Sequence, residues 1–292
     1  MAKIHIQFTL FSAFYSPLIS TMTGNFLKDE GLDYEWSIAK PGISALKALD
    51  DNVAQVVQST ISQGFMSLER GIKPKVRHFA LVNNMDGFFI TSRKAEHNFN
   101  WLSLEGADVL VDHGGQPMTM FKYACYKAGV DISKINIINA GNSEEMELAF
   151  RNGVGEYIHL QGPAPQQIEA DGIGYVVAAL GPKVGPCAFS SLAAMPEWLL
   201  SDYGKAFCRA YARTRKYIAN TPAEEIAATE ISLFPNTNET VLTQCIKDYQ
   251  TMGCWPAEMK ITDTGYNAML DIFEFDQKIT QRHSYESICI RK

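Results

Sequence analysis

Several short stretches carry side chains able to grip a small molecule, and the richest is Asp112-His113-Gly114-Gly115-Gln116-Pro117. Paired glycines let backbone N–H groups approach a ligand, and a helix opening at Pro117 favours negative charge at its start. His113 either donates to that ligand or satisfies a neighbour. Gln58-Ser59-Thr60 places three polar side chains in a row where a helix cap needs one. Tyr15-Ser16 offers an aromatic face and a hydroxyl beside a helix start; the competing account is packing by Tyr15 and capping by Ser16. His159 and Gln161 fall on one side of a strand by their period of two, with a core histidine as the alternative for His159. Asn139 and Asn142 flank Gly141 as contacts or as turn formers, and Asn84 and Cys187 lie at two breaks in the chain.

Other chemistries fail on spacing. The six cysteines form no C-x-x-C pair and have no histidine at ligand distance along the chain, which argues against structural zinc and a redox dithiol. They read as reduced thiols. His113, His159 and Asp112 could supply acid and base, but no nucleophile and base stand at a legible spacing. No cofactor is expected. Lys plus Arg number 26 against 32 Asp plus Glu, for a net charge of -6 with the signs interspersed, so a phosphate-tracking nucleic-acid surface is not expected. The longest apolar run, Ile173 to Leu180, is too short for membrane insertion, and the opening residues alternate like a strand rather than a signal peptide. Together with the cysteines this favours a cytoplasmic location, or a periplasmic or extracellular one if an export signal has been removed.

The elements that must position these residues alternate. Ile4, Ile6, Phe8 and Leu10 mark a first strand, and Ser16-Pro17 supplies a cap and a first-turn proline for a helix ending near Gly31. Strands are predicted over Leu32–Ile38, Val53–Gln58 and Val76–Val82, with helices from about Gly42 to Leu49 and over Ser62–Arg70. Turn formers at Asn83 to Gly87 break the series, and a second one follows: strands at Phe88–Ser92, Ala107–Asp112, Ile135–Ile138, Glu156–Leu160 and Ile173–Leu180, a short helical turn at Trp101–Leu104, and helices opening at Pro117, at a Ser143 cap and near Pro165. Gly181-Pro182 and Gly185-Pro186 break the chain again. Beyond Phe189 it reads as helical: Phe207, Ala210, Tyr211, Thr214 and Ile218 share a face opposite Lys205, Arg209, Arg213 and Lys216, and further helices are expected at Ala223–Leu233, Asn238–Met252 and Thr262–Phe275. The pattern is α/β, with mostly parallel sheets in two lobes joined at two crossings.

The stretches Tyr15-Ser16-Pro17-Leu18-Ile19 and Gly24-Asn25-Phe26-Leu27-Lys28-Asp29-Glu30-Gly31-Leu32-Asp33 resemble the opening of the sulfonate, nitrate and thiamin-precursor solute receptors, which have the periplasmic binding protein type II fold. Val53-Ala54-Gln55, Gln58-Ser59-Thr60 and Gly71 to Val76 are similar to that family's third strand and following helix. Phe189 to Ala194 with Trp198, then Tyr217 to Glu224, resemble its return crossing and first C-terminal helices. The resemblance implies one lobe built from residues 1–83 and 186–292, a second from 84–185, and a ligand cleft between them. Open α/β sheets bind ligands outside the carboxyl ends of their strands, which independently selects the same stretches.

The family also contains the synthase that makes the thiamin pyrimidine from a histidine and pyridoxal. Here Gln58 and Ser62 occupy the positions of its cofactor lysine and donor histidine, and only Cys187 remains of its cysteine-rich run, so neither chemistry survives. Menaquinone-route enzymes and aromatic decarboxylases on the same fold remain the alternative. The resemblance implies a small organic ligand and, if the chain is exported, an ABC transporter permease as partner. With few Arg or Lys among the candidates, the ligand is expected to be neutral or singly charged, aromatic or heterocyclic, or sulfonate-like.

Overall fold

The computed structural model describes residues 2–40 and 42–291 of the 292. The expected bounds at Met1 and Lys292 lie outside them. Among the described residues, ten strands form two five-stranded sheets. In the first, β1 (Ala2–Phe8), β2 (Leu32–Ile38), β3 (Val56–Ser59), β4 (Arg77–Asn83) and β10 (Ser190–Ala194) lie in the order β2-β1-β3-β10-β4. In the second, β5 (Phe88–Ser92), β6 (Asp108–Leu110), β7 (Asn136–Ile138), β8 (Tyr157–Gln161) and β9 (Tyr175–Ala179) lie in the order β7-β6-β8-β5-β9.

Each sheet is parallel except for the strand that follows a crossing. β10 runs antiparallel between β3 and β4, and β5 runs antiparallel between β8 and β9. The reading of the chain as helical beyond Phe189 therefore misses β10. Its sequence, Ser190-Ser191-Leu192-Ala193-Ala194, is poor in the branched and aromatic residues that mark strands, but it is paired on both edges, and long-range pairing overrides weak local preference.

Other elements shift by a few residues for local reasons. Tyr15, not Ser16, flanks the helix Ser16–Thr23, and the side-chain cap here belongs to Ser12, which accepts from the Phe14 amide. The expected helix from Gly42 to Leu49 is reduced to Lys47–Asp50. The cap of helix Ser143–Arg151 is Asn142, whose side chain accepts from Glu144 and Glu145 while Glu145 reaches back, a reciprocal capping box. Asn142→Ala should cost about 1 kcal/mol, read as a small drop in thermal midpoint with ligand response unchanged.

The helix Asp202–Asn220 buries Phe207, Ala210, Tyr211, Thr214 and Ile218 against the first sheet, as its periodicity requires, and Arg209 and Arg213 pair with Glu30 on the exposed face. Arg215 departs from the pattern. It is fully buried, and its guanidinium donates to the carbonyls of Val82 and Pro256, tying the last turns of β4 to the loop after the helix Glu239–Met252. No described helix is long and apolar enough to cross a membrane.

Candidate ligand-binding site

Polar residues at the carboxyl ends of β3 and β8 meet at the phenol of Tyr15, which follows β1. Tyr15 closes the short turn Ala13–Tyr15 after β1 and is buried. Gln58 from the first sheet and Gln161 from the second both interact with its hydroxyl, and the carboxylates of Asp86 and Asp112 act on it from further off. Burial raises its pKa far above the usual phenol value, so it stays protonated at any physiological pH.

Several buried polar atoms at the strand ends and in the first crossing have no protein partner. Ser59 Oγ, Asn83 Nδ2, Asp86 Oδ2, Gln161 Oε1 and Ser190 Oγ are all buried and unbonded. Strand register explains their grouping: Ser190 pairs with Asn83, and Ser59 with Ser191, at the carboxyl ends of β4 and β3. Asp86 follows in the first crossing, where its Oδ1 accepts from the Phe88 amide at 2.7 Å. Buried polar groups without partners are costly and uncommon, so their concentration where two sheets meet is the signature of a site that something else satisfies. Apolar walls enclose it: the Phe14 ring lies 5.4 Å from Phe189 and 4.8 Å from Tyr249, and Tyr249 lies 5.5 Å from Trp255.

A second group of contacts holds the two sheets together. Gln116 Oε1 accepts from Thr60 and Ser62, and its Nε2 donates to the Phe189 carbonyl at 2.8 Å, so one side chain links the turn after β3 to the second crossing. Ser12 donates to the Gly162 carbonyl at 2.6 Å, and Tyr249 binds the Gly162 amide and the Gly87 carbonyl. At the rim, Lys122 and Thr119 both meet Asp276 at 2.7 Å.

The candidates divide accordingly. Tyr15, Gln58 and Gln161 come together, Ser59 ends the same strand as Gln58 with its hydroxyl unpartnered, and Thr60 and Gln116 bond each other. Asn84 contributes backbone, donating to the Cys254 carbonyl and accepting from the Cys187 amide, and the buried Cys187 thiol is pushed well up by burial and by Asp86. The others sit elsewhere. The Ser16 hydroxyl lies 2.7 Å from Glu230 and 2.8 Å from the Ala13 carbonyl, inside the first half. His113 is exposed with Nδ1 on the Val111 carbonyl, the Gly114 amide bonds Asp112, Gly115 opens the helix Gly115–Ala128 at the surface, and Asn139 caps its own turn through the Gly141 amide. His159 lies beneath the site, stacked 4.3 Å from Phe88 and 5.3 Å from Phe121 with neither ring nitrogen bonded, and burial pushes it down to about 3. Asn83, Asp86 and Ser190 were not singled out from sequence, because two of them look like ordinary turn formers and the third lies in the strand whose pattern is weak.

Two mixed sheets, each with one strand reversed after a crossing, make up the fold of the periplasmic binding proteins. No family model matches the chain. It is 24% identical over 292 residues to YtlA of Bacillus subtilis (strain 168), named as a binding protein, covering 99% of this chain and 87% of that one. Among solved structures it is similar to the ligand-binding component of an ABC-type import system from Staphylococcus aureus with zinc bound, at a TM-score of 0.79 and 15% identity over 99% of this chain and 97% of that one. It is also similar to the periplasmic aliphatic sulphonate-binding protein SsuA of Escherichia coli, at a TM-score of 0.74 and 11% identity over 100% and 92%.

Proposed function

We propose that the chain is a solute receptor that captures a small organic molecule between a lobe of residues 1–83 and 186–292 and a lobe of residues 84–185. The observation that carries this is the meeting of Gln58 from one sheet and Gln161 from the other at the Tyr15 phenol, with buried unpartnered polar atoms at the neighbouring strand ends and in the first crossing. A bound molecule satisfies them and converts a costly cluster into a source of affinity. The import-system names of the structural neighbours support a transporter permease as partner and a periplasmic or extracellular setting over the cytoplasmic one. Zinc as cargo is not favoured, because among the described residues no three His, Cys, Asp or Glu side chains stand together as a metal cage.

Catalysis has less support. An acid–base pair needs two groups in reach of one another, whereas His159 is buried among rings, His113 is at the surface and Asp112 is spent on the Gly114 amide. Thermal-shift screening against alkanesulfonates, aromatic acids, pyrimidines and amines tests the receptor reading. A ligand at about 100 times its Kd stabilises by about 2.7 kcal/mol, a shift of several degrees. That shift should vanish in Ser59→Ala/Gln161→Ala, and a hit that stabilises this variant as well as wild type would place the site elsewhere.

A further inference from the structure

Resting on that reading of the cleft, we propose that Asp86 anchors a cationic nitrogen of the ligand, so that the chain selects organic amines or amidines over sulfonate-like or nitrate-like anions. Four observations carry it. Asp86 is completely buried, and one carboxylate oxygen is spent on the Phe88 amide while Oδ2 has no partner. No cationic side chain acts on it: what perturbs it is burial, and in the opposite sense the Phe88 amide. It sits in the first crossing, where the adjacent Gly87 packs against the Phe14 ring so closely that a Cβ there would stand 2.3 Å from it. Finally, the Asp86 carboxylate is near enough to act electrostatically on the Tyr15 phenol, to which the Gln58 and Gln161 amides bond.

A buried carboxylate with a free oxygen and no cationic neighbour is the complement of an ammonium or amidinium group. An incoming anion would meet it as a like charge with no guanidinium to offset it. Of the remaining free groups, Gln161 Oε1 accepts, the Ser59 and Ser190 hydroxyls accept as readily as they donate, and Asn83 Nδ2 donates, so acceptors for further N–H groups on the same ligand outnumber the one pure donor. Burial pushes the Asp86 carboxyl up to about 7, so a cation binding below that pH must expel its proton.

The test uses benzylamine and benzamidine as cationic probes, ethanesulfonate and nitrate as anions, and benzyl alcohol as a neutral control, each titrated by calorimetry into the full chain. Wild type is expected to bind the cations, with affinity rising from pH 6 toward pH 8 and with proton release seen as a buffer-dependent enthalpy. Asp86→Asn keeps an acceptor for the Phe88 amide and should weaken the cations by at least about tenfold while abolishing proton release. Circular dichroism and the benzyl alcohol response check that the variant is folded. Failure of wild type to bind either cation, or cation binding unchanged in Asp86→Asn, overturns the proposal. Anions that bind and are lost in Ser59→Ala/Gln161→Ala would keep the cleft but overturn the cation; binding of any probe that survives both variants would overturn the cleft itself.

Discussion

Gly162→Val is expected to abolish ligand capture while leaving both sheets folded. Gly162 follows Gln161 at the end of β8 and is gripped from the other half of the molecule by Ser12 and Tyr249. A Cβ there would stand 2.3 Å from Cys245 Sγ and 3.0 Å from the Tyr249 hydroxyl, both on the helix Glu239–Met252. Neither neighbour has room to yield: each is fully buried, and Tyr249 is held at two backbone groups. The cheapest relief is for the sheets to part, since the residue lies at their junction rather than inside either core. If the closed form falls to about 1% of molecules, apparent affinity falls about a hundredfold. Small-angle scattering should show a larger radius of gyration with unchanged circular dichroism. Retained affinity in a variant no more expanded than wild type would show that this contact does not govern closure.

The second large effect concerns Glu230, a carboxyl buried in the first half and held by the hydroxyls of Ser16 and Ser20. Burial pushes it up to about 8, against the partial pull of those two hydroxyls. In the unfolded chain the same group ionises near 4.5. Between those values the unfolded chain has released its proton and the folded one has not, so stability declines as pH rises from about 4.5 to about 8 and levels off above. Glu230→Gln keeps an acceptor for one serine and offers a donor to the other. The variant should therefore gain stability above pH 8, on the order of 4 kcal/mol, and gain little near pH 4. Asp86 contributes in the same sense only up to about 7, while the buried His78 and His159, both pushed down to about 3, act below 6.5 in the opposite sense. Comparing variant and wild type by chemical denaturation at pH 9 thus reads the whole Glu230 effect, and a variant no more stable than wild type there would mean that burial does not raise this carboxyl in the folded chain.

Legibility in the sequence followed the range of the interaction that specified each feature. Phe88–Ser92 and Trp101–Leu104 are where the local pattern placed them, because apolar alternation and an Asn100 cap act within a few residues. The buried face of the helix Asp202–Asn220 was equally readable from its spacing. Features specified across the chain were not. β10 depends on partners more than a hundred residues earlier, and the role of Ser16 depends on Glu230, 214 residues away. The site shows both cases. Gln58, Ser59 and Gln161 follow apolar strands, so a rule about strand ends reaches them, whereas Asp86 sits among Asn83, Asn84 and Gly87 and carries no local mark that separates a buried anchor from a turn. Ser16, Asn139 and the His113 stretch show the converse, since residues with suitable chemistry near a helix start or turn are mostly consumed by that local structure.

The pairing of Asn83 with Ser190 has a consequence for how the polypeptide is assembled. The chain leaves the first sheet and re-enters it at neighbouring points on adjacent antiparallel strands, β4 and β10. Topologically, everything between is a cassette spliced into what would otherwise be a hairpin. Both ends of the cassette are tethered at one place, so a change within the intervening hundred or so residues need not move either strand of the host.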